Sequence, residues 1–155
     1  VPDEVLVPIA SDADLVPARA EARALATALG FTRTDATLIA TAVSEVARNI
    51  VVHVGVGEIR MSALVEDQRR GLRVVAADEG PGIRDVDRAL EHGVTGHRGL
   101  GLGLSGARRL MDDFEIRTLT PGGTTVSMTK WRVLDELERL REDRRRDLRS
   151  DDRSR

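Results

Sequence analysis

Between Glu45 and Gly103 the chain sets out three clusters in a fixed order: Glu45 with Asn49, then Asp78 with Gly80 and Gly82, then Gly99, Gly101 and Gly103. The first lies in a helical pattern, the second follows an apolar strand pattern, and the third opens another helix. A fold for this chain must therefore bring a helix face, a strand end and a glycine-rich helix start to one place. Two common nucleotide-binding layouts do not fit. No Lys followed by Ser or Thr comes after the glycines, and a loop rather than a strand precedes them, which excludes the Walker loop and the Rossmann turn.

The elements around these clusters can be read in order. Val5, Val7 and Ile9 alternate with Leu6 and Pro8, and Pro8 places this strand at a sheet edge. Asp12 or Asp14 is expected to cap a helix that takes Pro17 in its first turn, buries Leu25, Ala28 and Leu29, and stops at Gly30. A second helix is expected from Thr34 or Asp35 to Val54, with Ile39, Val43, Val46, Ala47 and Ile50 on one face and Gly55 and Gly57 ending it. Ile59, Met61, Ala63 and Val65 alternate, residues 66–71 turn the chain, and residues 72–77 return as a more buried strand of a hairpin. Short helices follow at 86–91 and 104–111. Strands at 116–118 and 125–129 are joined at Pro121, Gly122 and Gly123. This order predicts an α/β two-layer sandwich, with helices on one face of a mixed, largely antiparallel sheet.

A length of 155 residues suits one domain. Its 32% charged residues against 41% hydrophobic ones imply a folded body with a solvated extension. We place the body at residues 1–131 and the extension at 132–155. In the extension Leu134, Leu137 and Leu140 recur at three-residue spacing, as in a helix lying on the body or on a partner, and past Arg141 the signal is charge alone, as in a solvated tail. A net charge of −2 and 2% aromatic residues argue against nucleic acid as a partner. The absence of cysteine suits a reducing compartment, no apolar run is long enough to span a bilayer, and a cytoplasmic location is expected.

Glu45 and Asn49 are four apart, so both project from one helix face. An Asn amide oxygen can complete a magnesium shell made mostly of phosphate and water oxygens, and a Glu one turn away can accept the proton of an attacking hydroxyl. The Asp78 carboxylate can accept from an exocyclic amine of a purine, with Gly80 and Gly82 letting backbone approach the ring. Gly99, Gly101 and Gly103 offer amides and a positive helix end to a phosphate chain. His97 and Arg98 precede them, where a cation could meet the last phosphate. His53, one turn beyond Asn49, could approach the nucleotide or hydrogen-bond at the helix end, where it suits the dipole, and Arg48 suits a structural ion pair.

These clusters resemble the N, G1 and G2 boxes of the ATP-binding superfamily of gyrase, bacterial histidine kinases and MutL, the GHKL type with its Bergerat fold. Residues 44–50, 78–83 and 99–106, with the closing Thr129, Lys130 and Trp131, look like the RsbT-type serine/threonine switch kinases of bacterial stress signalling. The resemblance implies ATP and Mg2+ as cofactors, Glu45 as catalytic base, Asn49 as magnesium ligand and Asp78 as adenine reader. It also implies that Gly80 and Gly82 line the base, that Gly99, Gly101 and Gly103 close over phosphates, and that Thr124 stands near Asp78. The phosphoacceptor it implies is a serine or threonine on a STAS-domain protein, with a metal-dependent phosphatase or a sigma factor as a second partner. Arg19, near the start of the first helix, resembles a partner-contacting position, and weak homodimers occur among related anti-sigma kinases. The alternative is a nucleotide-binding module that captures a sigma factor or phosphatase without transferring phosphate.

Overall fold

The computed structural model describes residues 4–82, 103–119 and 122–154. Strand β1 (Glu4–Ile9) leads through a 3-10 turn (Asp12–Asp14) into helices α1 (Leu15–Ala28) and α2 (Arg33–His53). The hairpin β2 (Gly57–Glu66) and β3 (Arg69–Asp78) follows, and after it come α3 (Gly103–Leu110), β4 (Asp113–Leu119), β5 (Gly123–Val133) and α4 (Glu136–Arg153). The expected short helix at 86–91, and with it His97, Arg98, Gly99 and Gly101, lies outside the described residues.

The strands form one sheet in the order β1-β2-β3-β5-β4. Every pairing among the described strands is antiparallel, so the mixed sheet that we expected resolves to its antiparallel part. Two helices separate β1 from β2, so the chain returns antiparallel, and β5 lies between β3 and β4, which run parallel to each other and so do not pair. Pro8 sits in β1 at the sheet edge, as its missing amide requires.

One sheet face carries Val7, Ile9, Ile59, Met61, Leu72, Val74, Ala76, Val126 and Met128 into a common core with Ala22, Ile39, Val43, Val46, Ile50 and Leu104 from the helices. Helices thus cover one face, as the two-layer reading requires. Each fully buried Ile, Leu or Met here contributes about 1.5–3 kcal/mol. The alternation expected through Ala63 and Val65 fails beyond Met61, where Ala63 and Val65 are both exposed.

Asp14 stands at the N-cap of α1, but its Oδ2 accepts the amides of Ala10 and Ser11 at 2.7 and 3.0 Å and so secures the preceding turn. Helix α2 starts before Thr34, because Thr32 is its cap and accepts the Asp35 amide at 3.1 Å. Strands β4 and β5 extend beyond 116–118 and 125–129, since β5 pairs with β3 on one side and β4 on the other. The charge run after Arg141 is helical to Arg153, capped by Asp135, whose side chain accepts the Glu138 amide at 2.8 Å. Leu134 is buried before the helix begins, whereas Leu137 and Leu140 are exposed.

Candidate functional site

Helix α2 lies between α1 and α3 over the sheet, and Ala36, Ile39, Ala40, Ala42, Val43, Ser44, Val46, Ala47 and Ile50 are all buried. The Glu45 side of the helix is therefore not a free surface; it meets the start of α3. Glu45 is only 12% exposed in its side chain. Its Oε2 accepts the Gly103 amide at 3.1 Å, and its Oε1 lies 3.5 Å from an Arg48 guanidinium nitrogen. The first amides of a helix have no partner within it, and a carboxylate there also complements the helix dipole. Arg48 was expected in an ion pair; the sequence reading did not identify Glu45 as its partner, although their i,i+3 spacing carries the signal.

Asn49 is half-buried one turn further on, and among the described residues its amide makes no side-chain hydrogen bond. It is thus available to a ligand. His53 is the exposed last residue of α2.

Asp78 ends β3 and pairs across the sheet with Gly57 on one side and Thr124 on the other. Its Oδ1 accepts the Gly80 amide at 2.9 Å and the Thr124 amide at 3.3 Å. Oδ2 has no partner among the described residues, so one oxygen fixes the carboxylate and the other stays open. Thr124 is buried, and its hydroxyl lies 3.2 Å from that of Thr118, a neighbour the sequence reading missed although it faces Thr124 across β4 and β5.

Close approach dictates two glycines here. A Cβ on Gly80 would stand 2.5 Å from Val54 Cγ2, at the end of α2. Gly123 has φ +101°, and a Cβ on it would collide with the Asp78 carbonyl oxygen. Gly82 follows with φ 80°. Asp78 lines two open recesses: one of about 470 Å³ with Val54, Val56, Gly57, Glu58, Ala77 and Glu79, and one of about 260 Å³ with Arg117, Thr118, Gly122, Gly123, Thr124 and Thr125.

The structure thus brings Glu45 to Gly103 and Asp78 to Gly80 and Thr124, with α2 reaching both groups through Glu45 at its middle and Val54 at its end. Gly99, Gly101, His97 and Arg98 lie outside the described residues. Arg19 stands apart on α1, exposed and, among the described residues, without an ion-pair partner.

The sequence profile of the histidine kinase-like ATPase domain matches residues 9–130. This chain belongs to that family. Within the histidine kinase-like ATPase family it is 40% identical to the serine/threonine-protein kinase RsbT of Bacillus subtilis (strain 168) over 129 residues, covering 83% of this chain and 97% of that protein. It is 35% identical over 121 residues to the anti-sigma F factor of Caldanaerobacter subterraneus subsp. tengcongensis, covering 74% of this chain and 82% of that protein. Among solved structures, a mycobacterial sensor histidine kinase, MprB, aligns with a TM-score of 0.47 at 18% identity, covering 84% of this chain and 100% of that one. Among the described residues no helix is long and apolar enough to cross a membrane.

Proposed function

We propose that this chain is a cytoplasmic, ATP-dependent protein serine/threonine kinase of a bacterial partner-switching pathway, which transfers the γ-phosphoryl group to a serine or threonine of a STAS-domain protein. The observation that carries this reading is the position of Glu45, held at the α3 start by Gly103, one helical turn from Asn49, whose amide makes no side-chain hydrogen bond among the described residues. The similarity to RsbT along most of both chains supports it.

The donor set fits a purine nucleotide. The open Oδ2 of Asp78 can accept the exocyclic amine of adenine, while Gly80 and Gly123 leave no side chain in the way. Among the described residues no three His, Cys, Asp or Glu side chains gather into a metal cage. Magnesium here would take the Asn49 amide oxygen as its protein ligand and supply charge neutralisation for the β- and γ-phosphates. Glu45 accepts the proton of the attacking hydroxyl as its oxygen bonds the γ-phosphorus, and the bond to the bridging oxygen breaks to release ADP. Gly99, Gly101, His97 and Arg98 are proposed around the phosphates on the sequence alone.

Arg19 lies one turn from Val16, which is 72% exposed, and together they make a small apolar and cationic patch suited to a protein partner. We assign it to the STAS protein, with a metal-dependent phosphatase or a sigma factor as an alternative occupant. Incubation with labelled ATP, magnesium and a STAS-domain protein tests the reading. Phosphoserine or phosphothreonine on the partner is expected, and its loss in Glu45→Ala. Bound ATP with no phosphate on the partner would leave a capture module instead of a kinase.

A further inference from the structure

Helix α4 lies beyond residue 130, where the family match ends. It is fastened to the body through one side. Glu138 takes two bonds of 2.9 Å from Arg132, Glu142 pairs with Arg70 at 3.2 Å, and Arg146 pairs with Asp67 at 2.8 Å. At about 100° per residue these three side chains share one stripe, and Leu137, Leu140, Arg141, Arg144 and Leu148 fall within about 100° of arc on the opposite side. Those leucines are 57%, 58% and 66% exposed. A surface helix normally does the reverse, turning its apolar stripe inward and its charges out.

We propose that this outer face of α4 is a docking surface for a helix of a partner protein whose apolar seam carries carboxylates. The charge on the stripe selects the partner. Arg141 and Arg144 lie midway along its length, both exposed and, among the described residues, without an ion-pair partner, although the helix carries seven carboxylates beside its seven arginines. Asp151 closes the stripe at its far end. A second copy of α4 fits poorly: with the leucines in register, parallel or antiparallel, these arginines face one another. Anionic lipid fits less well: Asp151 offsets one of the two stripe arginines and the helix as a whole is charge-balanced, which leaves little attraction to an extended anionic surface. A carboxylate-bearing apolar seam matches both features at once, in the helix-in-groove mode of recognition. The ion pairs to Arg132, Arg70 and Asp67 hold the helix in place before binding, which lowers the ordering cost.

The test uses the full chain and a fluorescent synthetic helix of about twenty residues with a leucine seam flanked by Glu, compared with the same seam flanked by Lys. Anisotropy should show saturable binding of the Glu helix. Arg141→Glu with Arg144→Glu should weaken it by roughly tenfold or more and transfer preference to the Lys helix. Leu137→Ser with Leu148→Ser should weaken both, with far-UV circular dichroism unchanged because all four positions are exposed. Absence of saturable binding, or equal binding of both helices by the unaltered chain, would overturn the proposal. So would co-sedimentation with phosphatidylglycerol vesicles, or a concentration-dependent dimer, that the leucine substitutions abolish.

Discussion

The Glu45 carboxylate accepts the Gly103 amide at 3.1 Å and so ties the middle of α2 to the first residue of α3, 58 positions away. One side chain thereby serves the helix start and, in the proposed reaction, the incoming hydroxyl. The two duties separate by substitution. Glu45→Ala should lower phosphoryl transfer by about a hundredfold or more. It should also lower stability by about 1 kcal/mol through the lost cap. Glu45→Gln keeps an oxygen for the Gly103 amide and should restore the melting temperature but not the transfer. Full activity in Glu45→Gln would remove the residue from proton transfer.

Asp78→Asn retains an Oδ1 for the amides of Gly80 and Thr124 while placing an NH2 where the open oxygen stood. Donor would then face donor at the adenine amine. Calorimetric titration should show ATP affinity lower by about tenfold or more, with thermal stability changed by less than about 1 kcal/mol. Unchanged affinity would place the base elsewhere.

Gly123→Ala combines a left-handed backbone with a Cβ against the Asp78 carbonyl. A loss of about 2–4 kcal/mol in urea unfolding is expected, more than the φ term alone would give. Because the collision is with the residue that holds two site amides, nucleotide affinity should fall with it.

The fastening of α4 should depend on acid. Hydrogen bonds from Arg132 and then from the Asp135 amide hold the Glu138 carboxyl below its ordinary value. A depressed carboxylate stabilises the folded form above its unfolded pKa, near 4.3, and that contribution is lost as pH falls through the lower folded value. Limited proteolysis within α4 should therefore stay slow at neutral pH and quicken below about pH 4.3. In Glu138→Gln it should already be faster at neutral pH, with a flatter acid response; an unchanged acid response would assign the effect to other carboxylates.

Local chemistry made much of this legible in advance. Pro8 put β1 at the edge, the 3.6-residue recurrence of Ile39, Val43, Val46 and Ile50 gave α2, and the alternation around Ile59 and Leu72 gave the hairpin. What stayed hidden depends on partners distant in sequence. The stop in alternation after Met61 depends on what packs over that end of the sheet, and the hold on α4 comes from Arg132, Arg70 and Asp67, whose spacing from the helix carries no periodic signal. Leu137 and Leu140 were visible in a three-residue recurrence with Leu134, but Leu134 is buried, Leu148 fell in what reads as a run of charge, and only the tertiary ion pairs reveal which face points outward. At the site, the spacing of Glu45 and Asn49 predicted a shared face, whereas the bond to Gly103 required α3 to be packed beside α2.

Trp131 is the chain's single tryptophan, and tyrosine is absent. Its indole nitrogen donates to Asp113 at 2.7 Å, the Arg69 guanidinium sits 3.8 Å above the ring, and it pairs with Gly71 across β3 and β5. Asp78 is seven positions along β3 from that pair, about 24 Å at strand rise. Intrinsic emission is therefore a built-in optical reporter for the hairpin end of the sheet, where α4 takes root. It should brighten, dim or shift when that end loosens, and remain dark to events at the opposite end of the same strand.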